Sequence, residues 1–499
     1  MTRVPLFSGS RVPLVALDDD ALLLTPPPPL EPLGDVAAAV GEALRYPLSG
    51  PGLAGRAAAR ARATIVVEPR SLPLPDAPND PRRAALAAVL DELDRLGVRA
   101  DRQTLLIAGG LGRRAGRREL ESILHPTRAR DFRGTVVVHD AAAAALRRLE
   151  LRGAPPVHIH EALFDTDLIV SVTAAETSER GGASVLLDAC AAADIARPEP
   201  APSLLAPSLS PTGILAGKVA AALSERCAVT GVSIVLDHPR LTGRFRGYPS
   251  SAAGIETVSR SHLRRALNTL PGPVRNHVLD GMARELNAVA ILAGPPAVSH
   301  AEALLRGISL RGIRLDAPLD TIVVPVPWQS LNEPREPLNP LTSAALGLGH
   351  ALRLWRDASP LREGGTIVLL HDLRRAFGQG SQAPYGTLFR VLREGPRDED
   401  IAAAREADAT DARALAAYRR CEAPHPLLPY VDWASCGPAL ARSGRVLVAG
   451  CRDAGAARAL GLVPTHNISA ALEMARGVAG GSHRLGVLVA PPYAPLVVG

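Results

Sequence analysis

"DLIVSVTAAETSERGGASVLLDACAAADIA", residues 167–196, sets the reading of the whole chain. Asp167 to Thr173 is a β-branched run of strand length, followed by a polar loop that ends in Gly181-Gly182. A small-residue helix is expected next. Strand, glycine loop and helix start together form an arrangement that holds an anion or a cofactor. Ser184 stands just after the glycines, where such loops often carry a lysine.

Outward from this stretch, strand candidates alternate with helices. "ATIVVEP", "QTLLIAGG", "GTVVVHD" and "PVHIHEA" precede it, with helices expected over 81–96, 115–125 and 141–150. "CAVTGVSIVLD" and "NAVAILAG" follow, then a second series of "DTIVVPVP", a helix over 341–356, "GTIVLLHDL", "GRVLVAG" and "RLGVLVAPP". This βαβ rhythm predicts an α/β protein: two α/β domains with mainly parallel sheets facing across an interdomain cleft. Residues 1–305 form the first, carrying a polar, Arg-rich insertion with helical pieces over about 238–284, and residues 306–499 the second. Residues 4–30 alternate like a hairpin and run into a Pro-rich linker.

Composition narrows the function classes. At 47% apolar but 3% aromatic, the core must be built from Ala, Leu and Val. The positive surface is almost wholly arginine, because Lys218 is the one lysine in the chain. A net charge of +6 favours anionic partners. The arginines of 113–133 are interspersed with acids and lack aromatic neighbours before Phe132, which reads as a solvated helix and not a nucleic-acid surface. Five scattered cysteines without a C-x-x-C pair argue against a structural zinc or a disulfide framework. The opening residues hold no uninterrupted apolar stretch, and no apolar run reaches the roughly 18 residues of a membrane helix. A cytoplasmic protein with no membrane partner is the expectation.

Several residues are candidates for chemistry. "LIAGGLGRRAGRREL", residues 105–119, places Gly109, Gly110 and Gly112 between a strand and a helix. The spacing is not a complete dinucleotide fingerprint, but Arg113-Arg114 is suited to clamping a phosphate, unless it lies on a solvated helix face. His139-Asp140 ends a strand, the usual position of an α/β site, although a turn-capping aspartate explains it as well. His158 and His160 share one strand face, with Glu161 facing away, and no third metal ligand stands near them. No G-x-S-x-G elbow supports acyl transfer.

The order of these motifs resembles the nickel-dependent lactate racemase family. "LIAGGLGRRAGRREL" is similar to that family's "IATGTHRPMTEEEL", "VVVHDA" to its "VxNHDA", and "DLIVSVT…GGASVLLDACA" to its "DLVIxIG…SGGAKxLLPGVA". "NAVAILAGPPAVSHAEAL" resembles "xAVFAGDPxEAH", and "DTIVVPVP" and "EGGTIVLLHD" resemble the family's second domain. The resemblance implies 2-hydroxy-acid racemase or epimerase chemistry. A nickel-pincer nucleotide tethered to a lysine accepts a hydride there, and two histidines exchange a proton.

Carried across residue by residue, the resemblance implies a degenerate site. The tethering lysine corresponds to Ser184, so the tethered cofactor is expected to be absent. The histidine of "GTHR" corresponds to Gly112, and the arginine of "TRPTP" falls at Leu72, with Glu68 and Arg70 as shifted substitutes. The loop that bears the ligand histidine is shortened around 176–180, and "NLYQxxK" becomes "PLNPLTS", placing Asn339, Pro340 and Ser343 at its polar positions. His139, Asp140 and His300 are the retained catalytic candidates, and no metal ligand is assigned. Arg70, Gly110, Arg113, Arg114, Gly181, Gly182 and Ser184 are the candidates around a cofactor or a small anion, whether hydroxy acid or nucleotide. The alternative is a non-catalytic protein that binds a small carboxylate or nucleotide in the same cleft.

Overall fold

The computed structural model describes residues 2–57, 61–69, 80–116, 120, 123–124, 132–243, 246–282, 284–329, 336–479, 483–489 and 494–499. Three short strands open the chain: β1 (Thr2–Pro5), β2 (Leu14–Leu17) and β3 (Leu22–Leu24). The first six-stranded sheet takes β4 (Ala63–Val67), β5 (Gln103–Ile107) and β6 (Thr135–Val138). A hairpin of β7 (Arg147–Leu151) and β8 (Ala154–Ile159) stands apart before β9 (Leu168–Ala174) and β10 (Ala228–Leu236) return to the sheet. The insertion holds the short pair β11 (Arg240–Leu241) and β12 (Arg284–Glu285), and β13 (Ala288–Gly294) completes the first sheet. Its order is β13-β10-β9-β4-β5-β6, parallel throughout except for β13 against β10.

The second half runs through β14 (Ile313–Leu315), β15 (Leu319–Pro325), β16 (Trp355–Arg356), β17 (Leu361–Leu370), β18 (Ser443–Ala449), β19 (Val463–Thr465), β20 (Leu485–Leu488) and β21 (Leu496–Val498). Six strands form an all-parallel sheet ordered β19-β18-β17-β15-β20-β3. A small parallel sheet, β14-β21-β16, lies beside it.

Burial on both faces explains the unbroken apolar runs of these strands. Ile65, Val67, Leu105, Ile107, Val170 and Val172 pack on one face of the first sheet, and Val66, Leu106 and Ile169 on the other. Ile322, Val324, Ile367 and Leu369 face away from Val323, Val368 and Leu370 in the second in the same way. The period of two in the pleat sends neighbours to opposite cores.

Residues 2–24 belong spatially to the second sheet. β3 pairs with β20, and Val4, Leu6, Val15 and Leu17 join the core under Val323 and Val368. The insertion packs there too: its helices Ala252–Arg260, His262–Thr269 and Gly272–Asp280 contribute Val258, Leu267 and Leu279 to that core.

Three local expectations are corrected. The helix expected over 141–150 is a pair of turns leading into β7, because Arg147–Leu151 pairs antiparallel with β8 and buries Leu149 and Leu151. Tertiary pairing overrides the helix preference of the alanines. "PVHIHEA" accordingly belongs to this hairpin and not to the main sheet. The helix expected over 341–356 is an α-turn, Pro340–Ala344, that widens to a π-helix, Ala345–His350, and tightens to a 3-10 turn before β16. The helix expected over 115–125 lies mostly outside the described residues.

Candidate functional site

Parallel strands deliver their carboxyl ends to one edge, where the following loops build a site. In the first sheet the loops after β4, β5, β6 and β9 carry Glu68, Gly110, His139 and the segment 175–182 to the same edge. A small cleft opens there, lined by Glu68, Arg82, Arg83, Thr173, Glu176 and Arg180 among others.

Its charges interact strongly. Burial raises the Glu68 carboxyl above its ordinary range, opposed by the Arg180 charge, the Gly181 N–H and Arg82. Asp188 lies in the same network: burial and then the Glu68 charge push it up to about 7, while Arg180 opposes. Gly110 is shaped to this aspartate. Its φ is +54°, its N–H donates to the Asp188 carbonyl at 3.1 Å, and a Cβ there would stand 2.8 Å from Asp188 Oδ1. Arg82 is held by Asp80 through Nη2 at 2.7 Å, and Glu176 by Arg311 at 3.2 Å, both of them buried. His350 reaches this charge field from the second half, where burial and then the charges of Arg180 and Arg353 hold it down at about 3.

Gly181-Gly182 turns with φ of +86° and +53°. The Gly182 N–H donates to Thr173 Oγ1 at 2.7 Å, and His300 from the helix Pro296–Arg311 wedges beneath the pair. The His300 Nε2 donates to the Thr177 carbonyl at 2.8 Å, and burial lowers the ring's basicity. Gly182→Ala places a Cβ 2.5 Å from His300 Cγ and 2.8 Å from the Pro296 carbonyl, in a left-handed conformation. The change should cost about 1–3 kcal/mol, seen as a lower denaturation midpoint. Retained wild-type stability would show that the loop can move off His300.

The other candidates are placed as follows. Ser184 is buried at the start of the helix Ser184–Leu187 and donates its N–H to the Gly181 carbonyl at 2.9 Å. The His139 Nε2 donates to the Cys190 carbonyl at 2.7 Å, its ring meets His160 edge-on at 5.7 Å, and burial holds it at about 4. Asp140 turns to the Ala142 N–H at 2.9 Å and to Arg419 at 3.4 Å. His158 is exposed beside Asp194, whereas His160 accepts the Ala162 N–H, so the two imidazoles do not share a site. Arg70 and Leu72 lie outside the described residues. Among the described residues no group of three or more His, Cys, Asp or Glu could hold a metal ion.

Arg113 and Arg114 do not converge with the glycine pair on one anion. Arg114 donates to the carbonyls of His139 at 3.1 Å, Val138 at 3.1 Å and Arg419 at 3.0 Å, and Arg113 to that of Cys421 at 3.2 Å. These bonds join the halves. The Tyr418 hydroxyl accepts the Ala141 N–H at 3.1 Å, and the His425 N–H reaches the Leu111 carbonyl at 2.9 Å. Arg353, buried in the second half, ties down Glu179 of the loop at 2.6 Å.

Arg180, Asp188 and the two ion-paired glutamates were not anticipated. A signal for two of them stood in the motif itself. Arg180 replaces the serine before the glycines of "SGGAKxLLPGVA", and Asp188 replaces its proline. Lys218, the one lysine in the sequence, sits on the helix Pro211–Ser224 and donates to the Gly153 carbonyl at the β7–β8 turn, 2.6 Å away.

Two mainly parallel sheets, a polar cleft at the first sheet's carboxyl edge and a second half that closes on its loops define an α/β protein with its site between βα loops. Residues 9–178 match the lactate racemase N-terminal domain family. The structure is similar to that of the lactate racemase apoprotein from Thermoanaerobacterium thermosaccharolyticum, with a TM-score of 0.63 and 14% identity over 99% of this chain and 100% of that one. A structural-genomics protein from Thermotoga maritima aligns with a TM-score of 0.48 and 11% identity, over 93% of this chain and 97% of that one. No curated protein matches the chain. Residues 9–178 thus carry the sequence pattern of that domain family, and over the whole chain the likeness is one of fold. No helix among the described residues is long and apolar enough to cross a membrane.

Proposed function

We propose that this protein is a lactate racemase-like scaffold with a degenerate active site, which neither carries a tethered nickel-pincer nucleotide nor racemises lactate. The observation that carries the reading is the absence of a lysine amine: Ser184 holds the tether position, and the chain's single lysine is committed to Gly153. A serine hydroxyl cannot form the amide-type link that a lysine amine makes, so the residues do not fit the group. Gly112 and Leu72, at the positions of a base and a carboxylate clamp, support the same reading. The two domains are taken to divide near residue 305, apart from residues 2–24 and the insertion's helices, which pack with the second sheet, and five free cysteines favour a reducing, cytoplasmic location.

A second reading, a non-catalytic binder of a small carboxylate or nucleotide, is favoured by the histidines. His139 and His300 each spend Nε2 on a backbone carbonyl, and burial lowers the basicity of both rings, that of His139 to about 4. A base needs its pKa near the working pH. In this reading Arg180 is the cation that a bound carboxylate meets.

The test is to express the protein together with the enzymes that make the nickel-pincer nucleotide. Intact-mass measurement should return the unmodified 52.2 kDa chain, and chiral chromatography should detect no lactate racemisation above buffer. Losing a tether, a base and a clamp removes factors of roughly 10² or more each. A covalent adduct or ordinary enzymatic turnover would overturn the proposal.

A further inference from the structure

The carboxyl edge of the second sheet gathers arginines that the proposed function does not use. The loop after β17 carries His371, Asp372 and Arg374, and the loop after β18 carries Arg452, whose N–H donates to the Asp372 carbonyl at 2.8 Å. The turn between β1 and β2 lies across them. The Gly9 N–H donates to the Val326 carbonyl at 2.8 Å, and the His371 ring lies 3.5 Å from where a Gly9 Cβ would stand. Arg11 closes that turn through paired backbone hydrogen bonds with Ser8. From the insertion, the helix Gly272–Asp280 brings Arg275, whose Nε donates to Ser10 Oγ at 3.1 Å and whose Nη1 donates to the Leu270 carbonyl.

Arg11, Arg275, Arg374 and Arg452 are thus carried to one edge on neighbouring loops and the inserted helix, close enough for the other three to act on the Arg275 charge, and Asp372 is the carboxylate among them, which Arg374 contacts at 2.9 Å. The neighbouring Arg375 and Asp453 form a neutral pair at 3.7 Å. Arg275 is 7% exposed, and the Arg11 Nε is buried without a partner among the described residues. Arg275 is lowered first by burial and then by Arg11, with Arg374 and Arg452 adding to it and Asp372 opposing. A guanidinium does not relieve such repulsion by losing its proton, so Asp372, water at the exposed arginines and a bound anion are what can offset it.

We propose that this cluster is a binding site for a phosphate group of charge two or more, as carried by inorganic phosphate, pyrophosphate or a small phosphate ester. Three features agree on that class. Guanidiniums match phosphate oxygens in two-pronged pairs. The carboxyl edge of a parallel sheet is where α/β folds place ligands. The three loops and the inserted helix converge from separate parts of the chain and leave an excess of three positive charges in the set of Arg11, Arg275, Arg374, Arg452 and Asp372.

The probe is pyrophosphate, titrated calorimetrically into the full chain at low and at matched higher ionic strength, with inorganic phosphate as the second arm. Saturable heat that weakens with salt is expected. The double variant Arg374→Gln/Arg452→Gln changes two exposed side chains, so folding is not at stake. It should lose affinity by roughly tenfold per guanidinium removed. Arg152→Gln, on the exposed β7–β8 turn, should bind as wild type does. Absence of saturable binding, equal affinity in the double variant, or loss on Arg180→Gln instead, which would put the anion in the first cleft, would each overturn the site.

Discussion

Arg353→Met should lower the free energy of unfolding by about 3 kcal/mol, at the low end of the range for breaking a buried ion pair. Arg353 is 2% exposed. Its Nε donates to the Ala201 carbonyl at 2.8 Å, its Nη1 to the Gly349 carbonyl at 3.2 Å and its Nη2 to Glu179 at 2.6 Å. Methionine replaces most of the stem's volume but leaves two carbonyls and a carboxylate without that donor. The loss stays at the low end because the Glu179 side chain keeps 18% exposure and still accepts the Ala201 N–H at 3.1 Å. Urea denaturation reads the change, and adding Glu179→Gln should restore at least about 1 kcal/mol by removing the stranded charge. A loss below about 1 kcal/mol in the single variant would mean that the contact contributes little. The consequence for the cleft is local: Glu176 and Glu179 anchor the loop that presents Arg180, so amide exchange at 176–182 should quicken in Arg353→Met.

The fold was legible where burial alone shapes the sequence. β4, β5, β9, β15, β17 and β18 are apolar on both faces, and such runs announce a parallel sheet without any knowledge of neighbours. β7 was not legible. Its alanine-rich approach has helix preference, and what fixes the strand is β8, which follows it in the chain and pairs back upon it. The assignment of residues 2–24 to the second sheet depends on β20, more than 450 residues further along the chain, as in the pairing of Leu22 with Gly486.

The site was legible by position but not by partner. His139, Gly110 and Gly181-Gly182 were found because strand ends and glycines mark loops. Glu68 was found only as a shifted substitute, and Arg180 and Asp188 escaped, because the three meet only through the pairing of β4 with β9 and the turn after the glycines. The Arg113-Arg114 pair reads as an anion clamp in the sequence, yet its donors face carbonyls of 138–139 and 419–421, a segment that no local pattern places nearby. Ser184 and the charged Arg180 and Asp188 occupy one short motif. The cleft sets carboxylates around an arginine.

That arrangement makes stability depend on pH. Asp188→Asn should be more stable than wild type at pH 8 by about 2–4 kcal/mol and within about 1 kcal/mol of it at pH 4. The carboxyl titrates at about 7 in the folded protein against 3.8 for the ordinary group, so the folded state holds the proton more tightly than the unfolded chain. The stability this gives is fully present below pH 3.8 and is lost as pH rises through about 7. Above that, the wild type carries a desolvated carboxylate beside Glu68, which asparagine, of the same shape and without charge, does not. A displacement of that size corresponds to an upper bound of about 4 kcal/mol, reduced where Arg180 screens the charge. Denaturation midpoints of both proteins from pH 4 to 8 test this, and a difference that stays flat across the range would show that Asp188 is not displaced. The same titration bears on binding. Ionising Asp188 places a second negative charge near Arg180, so a carboxylate ligand in the first cleft should weaken as pH rises through 7 in the wild type and not in Asp188→Asn.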